Sequence, residues 1–321
     1  MKGLNSIKEL FELIQNDPTT SIIMLLILIF SSIILYKKWG WLQVIYNWIV
    51  NYILCFMKRD FVMIATFSKK EANFSEVKKE YQEQGCLYIT QNFLKYFKVD
   101  GSIETTNLRK ILRKQKSKMN TAKKRSKNSN SVIYLGFPHV PLAFLDGYHF
   151  KSTDDPILYE YQGEDSECLG KGFYELNRKY NTDMKITSNY NPETNYDYEV
   201  AIKIEQSFSI IDEGIKNVTN VSQIISLGLE SPMRWKVTNY AQVDLYQKYF
   251  LDLLSKLSER GVKRVHLFAT TPVSLSFSLG RVVEHYHPEI IVYNYNNNAY
   301  DWAINLRNEE ILTFDVDEKT V

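Results

Sequence analysis

VIYLGFPHVPLAFLDG, residues 132–147, lies without a gap over VHLFATTPVSLSFSLG, residues 265–280, when the chain is slid along itself by 133 positions. Val132, Val140, Leu142, Phe144 and Gly147 fall on Val265, Val273, Leu275, Phe277 and Gly280. One inserted residue later, Tyr159 and Tyr161 of LYEYQG fall on Tyr293 and Tyr295 of VYNYNN. Each copy has an apolar strand, a short turn, a helix ending on Gly and a strand carrying Tyr-x-Tyr, and apolar coincidence alone does not produce that shared order. Two related α/β halves are expected, at about residues 60–190 and 191–321.

Outward from this repeat, strand-like runs alternate with helical ones, the mark of a mainly parallel α/β sheet. Tyr240, Val243, Tyr246, Phe250, Leu253 and Leu257 follow helical spacing, and Gly261 sits where a C-terminal cap belongs. The strand Val262 to Ala269 comes next, and Val200 to Ile204 forms another. Cys55, Cys86 and Cys168 are widely spaced and odd in number, which fits a reducing compartment better than a disulfide framework or a zinc site. The net charge is +2, yet ten Lys and Arg lie between Arg109 and Lys127 with no acid among them, so the remaining chain carries −8. That basic run is open to three readings: a linker, a phosphate-contacting arm or a patch for anionic lipid.

The first 59 residues differ from the rest. Thr19 to Tyr36 is an 18-residue charge-free run, about 27 Å long as a helix, and the bulky residues at its end argue for a retained span over a cleaved leader. A second charge-free run, Trp39 to Met57, closes on Lys58 and Arg59, with Trp39, Trp41 and Trp48 as interfacial anchors. A transmembrane helical hairpin is the expectation, with a second helix lying flat in the interface as the alternative. Gln43, Asn47 and Asn51 fall on one helix face, where their amides can face water or bond to neighbouring subunits. Leu4, Ile7, Phe11 and Ile14 have the spacing of a short amphipathic helix ahead of the span.

In open α/β sheets ligands bind beyond the carboxyl ends of the strands. Thr270 and Thr271 ahead of Pro272 read as an N-cap followed by Pro at the first helical position, a helix start suited to phosphate. The first half offers Phe137 and His139 at the equivalent turn, a stacking ring and an imidazole. Gln206 and Ser207 follow the strand Val200 to Ile204, and Ser274, Arg281, Tyr295, Asn296 and Tyr300 complete the candidate ligand set. Each of these also has an ordinary reading as a loop or capping residue. Walker, nucleophile-elbow, zincin and Gly-rich dinucleotide motifs are absent from the chain, and no catalytic residue, metal or cofactor is expected.

RVHLFATTPVSLSFSLGRV followed by IIVYNYNNNAYDWAINL resembles the C-terminal signature of SAVED domains, which are fused pairs of CARF-like, Rossmann-like units. The resemblance implies a non-enzymatic effector of a bacterial CBASS anti-phage system, of the transmembrane type. Its ligand would be a cyclic oligonucleotide, a cyclic trinucleotide or dinucleotide, made by a CD-NTase cyclase. Binding would drive homo-oligomerisation and, through clustered helices, loss of inner-membrane integrity, with the SAVED domain in the cytoplasm. A membrane-bound ring nuclease and a ligand-independent membrane scaffold are the alternatives.

Overall fold

The computed structural model describes residues 61–83, 85–127, 129, 131–151, 155–162, 172–178 and 182–314, together with Leu26, Ile29 and Ser31, which are helical. The chain divides into two compact units, Met1–Lys58 and Arg59–Val321. The two apolar runs, the amphipathic stretch at residues 4–15 and the amides of Gln43, Asn47 and Asn51 otherwise lie outside the described residues. Among the described residues no helix is long and apolar enough to cross a membrane.

The second unit is organised by strands buried on both faces. In β1, Phe61–Phe67, Val62 and Ile64 point into one core while Met63, Ala65 and Phe67 point into another, the two-residue alternation of a central strand. β1 pairs in parallel with β2, Cys86–Asn92, and with β3, Ser131–Phe137. β4, Ile157–Tyr161, continues in parallel and β5, Phe173–Glu175, closes the edge antiparallel, giving the order β2-β1-β3-β4-β5.

The second sheet repeats that arrangement. β7, Glu199–Glu205, lies between β8, Ile224–Gly228, and β9, Arg264–Ala269, and β10, Glu289–Asn296, follows in parallel. β11, Ala299–Asn305, and β12, Ile311–Thr313, are added antiparallel at one edge, and β6, Thr187–Ser188, at the other. The order is β12-β11-β10-β9-β7-β8-β6. Because β6 pairs into the second sheet, the passage between sheets falls at residues 176–186, a few residues before the position expected from the repeat.

Helices cover both faces of each sheet. α1, Ser75–Gln82, packs Val77 and Tyr81 on the outer face of the first sheet, and the short α4, Asp212–Lys216, sets Ile215 against the outer face of the second. The main core lies between the sheets. It is filled by α2, Thr105–Ser126; α3, Val140–His149; α5, Tyr240–Glu259; and α6, Val273–Arg281. α2 carries most of the basic run and buries Leu108, Ile111, Leu112, Gln115, Met119 and Ala122, so the linker reading of that run gives way to a packed amphipathic helix. α5 begins with a reciprocal cap: Asn239 Oδ1 accepts from Gln242 N at 3.1 Å and Gln242 Oε1 from Asn239 N at 3.2 Å. It ends at Gly261, whose φ of +85° is the left-handed conformation expected of the cap.

The two halves meet through the matched glycines. A Cβ on Gly147 would sit 1.9 Å from the Phe277 carbonyl oxygen, and one on Gly280 would sit 2.0 Å from the Phe144 carbonyl oxygen. Both pairs follow the 133-residue offset, so α3 and α6 cross about a pseudo-two-fold axis with their backbones in contact. Only glycine permits that approach. The Tyr134 ring stacks on Phe277 at 3.7 Å over the same crossing.

Candidate functional site

Strands β1, β3, β7 and β9 run toward one edge of each sheet, and the N-termini of α3 and α6 open there. The last parallel strand of each half faces the helix of the other: β10 packs near α3, and β4 near α6. This crossed arrangement places side chains from both halves at each helix start.

At the α6 start the occupant is Glu160 of β4. Its Oε2 accepts from Ser274 N at 2.9 Å and Ser274 Oγ at 2.7 Å, and Oε1 accepts from Val273 N at 3.3 Å. Glu160 is buried, and burial raises its carboxyl above the usual range against the opposing pull of those donors. The helix start read as a phosphate seat is therefore filled by a carboxylate from the same chain. Pro272, not a threonine, is the N-cap residue; Thr271 Oγ1 turns to Ser276 Oγ at 2.7 Å, and Thr270 Oγ1 donates to the Phe208 carbonyl at 2.6 Å. The motif identified the right helix end but not the carboxylate that reaches it from 114 residues away.

At the α3 start the geometry is more open. His139 is the N-cap residue; its backbone N donates to Ser68 Oγ at 2.8 Å, and Nδ1 lies 2.7 Å from the same oxygen. Burial, aided by the Lys69 cation, holds the imidazole well below its usual pKa, so it is neutral at pH 7. The ring stacks on Phe97 at 4.3 Å and meets the edge of Trp302 from β11 at 5.8 Å.

Lys69 follows Ser68 at this edge. Its surroundings lower the ammonium pKa, against the opposing charge of Asp301 from the other half. Asp301 is held by Asn294 Nδ2 at 2.9 Å and Asn296 Nδ2 at 3.3 Å, and burial raises its carboxyl. Asn296 and Asn297 also donate to the Asp100 carbonyl at 3.3 and 2.9 Å, tying the β10–β11 turn to the first half. Asn297 and Asn298, with φ of 46° and 63°, form the two-residue hairpin turn itself.

On the second-half side, Gln206 Nε2 donates to the Met233 carbonyl at 3.0 Å and Ser207 Oγ donates to Gln206 Oε1 at 2.6 Å, which brings the segment around Met233 against the strand end. There the Arg234 guanidinium lies 4.4 Å over the exposed Phe208 ring, beside exposed Met233 and Trp235. An Arg on an aromatic face is a combination that holds phosphate and base together.

The structure thus brings Phe137, His139, Gln206, Ser207, Thr270, Thr271 and Ser274 to the expected edge, although Gln206 and Ser274 are fully buried in internal bonds. Phe137 packs edge-on against Tyr161 at 5.5 Å. Tyr295 and Asn296 lie at the end of β10, with Tyr295 half exposed. Two residues fall elsewhere. Tyr300 is buried against Phe268 in the outer core of the second sheet, and Arg281, at the far end of α6, lies 3.7 Å from Asp155. Lys69, Phe97, Glu160, Arg234, Asp301 and Trp302 were not singled out in the sequence. The only signal for Glu160 was its place between the paired tyrosines, where the second half has Asn294.

Among the described residues, no group of three or more His, Cys, Asp or Glu is placed to hold a metal ion. His285 and His287 lie in the turn after α6, where Arg307 donates to both their carbonyls at 2.9 and 2.7 Å.

Fold and site together define a fused pair of Rossmann-like lobes, joined through one helix crossing, with their strand ends brought to a shared edge. Residues 111–306 match the family described as "SMODS-associated and fused to various effectors sensor domain", SAVED, and the chain belongs to that family. No curated protein matches it. Among solved structures it is similar to the Acinetobacter baumannii Cap4 SAVED/CARF-domain containing receptor with the cyclic trinucleotide 2′3′3′-cAAA, at 17% identity and a TM-score of 0.51, over 75% of this chain and 50% of that one. The same receptor with 3′3′3′-cAAA matches at 16% identity and a TM-score of 0.50, again over 75% and 50%. The Moraxella osloensis receptor matches at 16% identity and 0.48, over 76% and 49%. The chain spans about half the length of these structures, and the likeness is one of fold.

Proposed function

We propose that the protein is a membrane-tethered sensor of a cyclic oligonucleotide, acting as a CBASS effector of the transmembrane SAVED type. The ligand, a cyclic trinucleotide or dinucleotide made by a partner CD-NTase cyclase, binds at the strand-end edge between the halves. Binding drives homo-oligomerisation of the cytoplasmic domains, and the clustered N-terminal helices, helped by Gln43, Asn47 and Asn51, disrupt the bacterial inner membrane and abort infection. The chain catalyses no reaction of its own.

The observation that carries this reading is the crossed edge, where Lys69 and Arg234 supply cations, and Phe97 and Phe208 supply rings, around two pseudo-symmetric helix starts. Family membership and the cyclic trinucleotides bound by the similar Cap4 receptor support the ligand class. The apolar run at residues 19–36 supports the tether.

The test uses the full chain in detergent and in vesicles with a panel of cyclic di-, tri- and tetranucleotides. One species at 100 times its Kd raises stability by about 2.7 kcal/mol and releases vesicle contents. No thermal shift with any species refutes the sensor reading, and a shift without release refutes the membrane effector. Recovery of intact ligand separates the sensor from a ring nuclease.

A further inference from the structure

The outer face of α2 has no role in the reading above. Over its 22 residues the helix carries nine Lys and Arg and no acid, all on turns whose opposite face is buried in the core. Like charges at i and i+4, as in Arg109 and Arg113 or Lys110 and Lys114, weaken a helix, so the cluster is not explained by helix stability. Nor is it neutralised by the fold. Lys116 pairs with Glu309 at 2.6 Å, Lys110 donates to Asn107 at 3.2 Å and Lys114 donates to the Tyr96 hydroxyl, whereas Arg109, Arg113, Lys118, Lys123 and Lys124 form no ion pair among the described residues. Arg113, Lys116, Ser117, Asn120, Thr121 and Lys124 line a groove of about 420 Å³, in which cations and hydroxyls converge as a phosphodiester requires.

The position of this face in the fold indicates its partner. α2 runs antiparallel to β1 and ends at Ser126, five residues before Ser131, the first residue of β3, which pairs with Phe61. The C-terminal half of the basic face therefore lies at the sheet edge where the chain enters the domain. Three residues, Lys58, Arg59 and Asp60, separate Phe61 from Met57, the end of the second apolar run, and the four extended steps between those two residues span at most about 14 Å. At physiological salt the attraction between a cation and an anionic surface extends about 8 Å.

We propose that the basic face of α2 docks on anionic phospholipid headgroups and gives the tethered domain a second contact with the bilayer. The inference rests on the reading that the N-terminal segment lies in the membrane. A tether that short keeps lipid phosphate at high local concentration, and no such advantage holds for a free nucleic acid.

The test is amine acetylation of the full chain in vesicles, by an impermeant reagent with mass-spectrometric readout at each lysine. In phosphatidylcholine with about 30% phosphatidylserine, Lys118, Lys123 and Lys124 react about fivefold more slowly than in phosphatidylcholine alone. Lys98, exposed at the opposite edge of the first sheet, reacts equally in both and serves as the internal control. Protection disappears in about 0.5 M salt. Flotation after alkaline extraction reports the N-terminal segment separately. A chain that floats but labels equally in the two lipids overturns the docking proposal alone, whereas a chain that does not float overturns the membrane reading with it. Protection conferred by added double-stranded RNA in neutral vesicles, and not by anionic lipid, overturns the choice of partner.

Discussion

Replacing Asp146 with Asn separates the cost of a buried charge from the value of its hydrogen bonds. Asp146 lies on α3 with no exposed surface. Its Oδ1 accepts from the side-chain amides of Gln91 at 3.1 Å and Gln115 at 2.8 Å, and its Oδ2 accepts from the hydroxyls of Thr66 at 2.7 Å and Tyr134 at 3.1 Å. Burial raises the carboxyl from 3.8 to about 6 despite these four donors. Between pH 3.8 and about 6 the folded state keeps a proton that the unfolded chain has released, so stability falls as pH rises through that window and is level above it. The loss is about 3 kcal/mol by pH 7. Asn fits the same cage, because both partners of Oδ2 are hydroxyls, which can turn from donor to acceptor, while both partners of Oδ1 keep an oxygen. The expected outcome is that D146N folds and lacks this term. In urea unfolding of the full chain in detergent, followed by circular dichroism, wild type loses about 2.5 kcal/mol relative to D146N between pH 4 and pH 7. Equal pH dependence of the two proteins would show that Asp146 does not hold its proton in the folded state and would refute the reasoning.

The helix crossing predicts that G280A costs more than about 3 kcal/mol, since backbone must move from a 2.0 Å contact; a melting temperature unchanged from wild type would contradict the crossing. N239A removes the reciprocal cap of α5 and lowers stability by about 1 kcal/mol in the same urea assay, whereas N239D, which keeps the acceptor, loses less. K69A leaves the melting temperature within about 1 °C but weakens the cyclic oligonucleotide selected by the panel by about tenfold or more in calorimetry, the value of one charge-assisted phosphate contact. R234A does the same if the second-half rim contacts the ligand, and an unchanged affinity places the ligand away from that rim.

The fold was legible because both of its organising devices are local patterns repeated at a fixed offset. Strand alternation and the Gly147 and Gly280 pair appear in the sequence as matched letters, and the structure turns the same offset into a helix dyad. The cap at Gly261 and the buried face of α5 follow from short-range spacing and came out as expected. The site was legible only in part. Helix starts have a local signature, but what fills them does not: Glu160 reaches Ser274 across 114 residues, and the charge of Asp301, from the other half, acts on Lys69. Tyr300 failed for a related reason. Alternation from Trp302 and Ile304, which face the main core, would put Tyr300 on that same face, but the pairing shifts between Asn294↔Trp302 and Tyr295↔Tyr300, and this bulge, which has no signature in the sequence, turns Tyr300 to the outer face. The basic run leaves a linker open as one of three readings because charge dominates its composition, while six buried positions at helical spacing decide its structure.

The repeat makes the two helix starts comparable, and their differences then define what the cleft can accept. Tyr159-Glu160-Tyr161 and Tyr293-Asn294-Tyr295 are the same strand in two copies, so Glu160 and Asn294 stand at equivalent places, each opposite the helix of the other half. In one copy the carboxylate fills the free amides of α6. In the other the neutral amide turns away to Asp301 at 2.9 Å, leaving the α3 start to a neutral His139 with Lys69 beside it. An anion approaching the edge therefore meets a cation and a neutral imidazole on one side, and on the other a helix start already satisfied by a carboxylate. A ring of identical nucleotides cannot make identical contacts with both halves of such a cleft. The internal carboxylate also bears on the proposed function: a phosphate that takes the α6 amides must expel Glu160, and Glu160 belongs to the opposite half, so that exchange would loosen one half from the other at this edge.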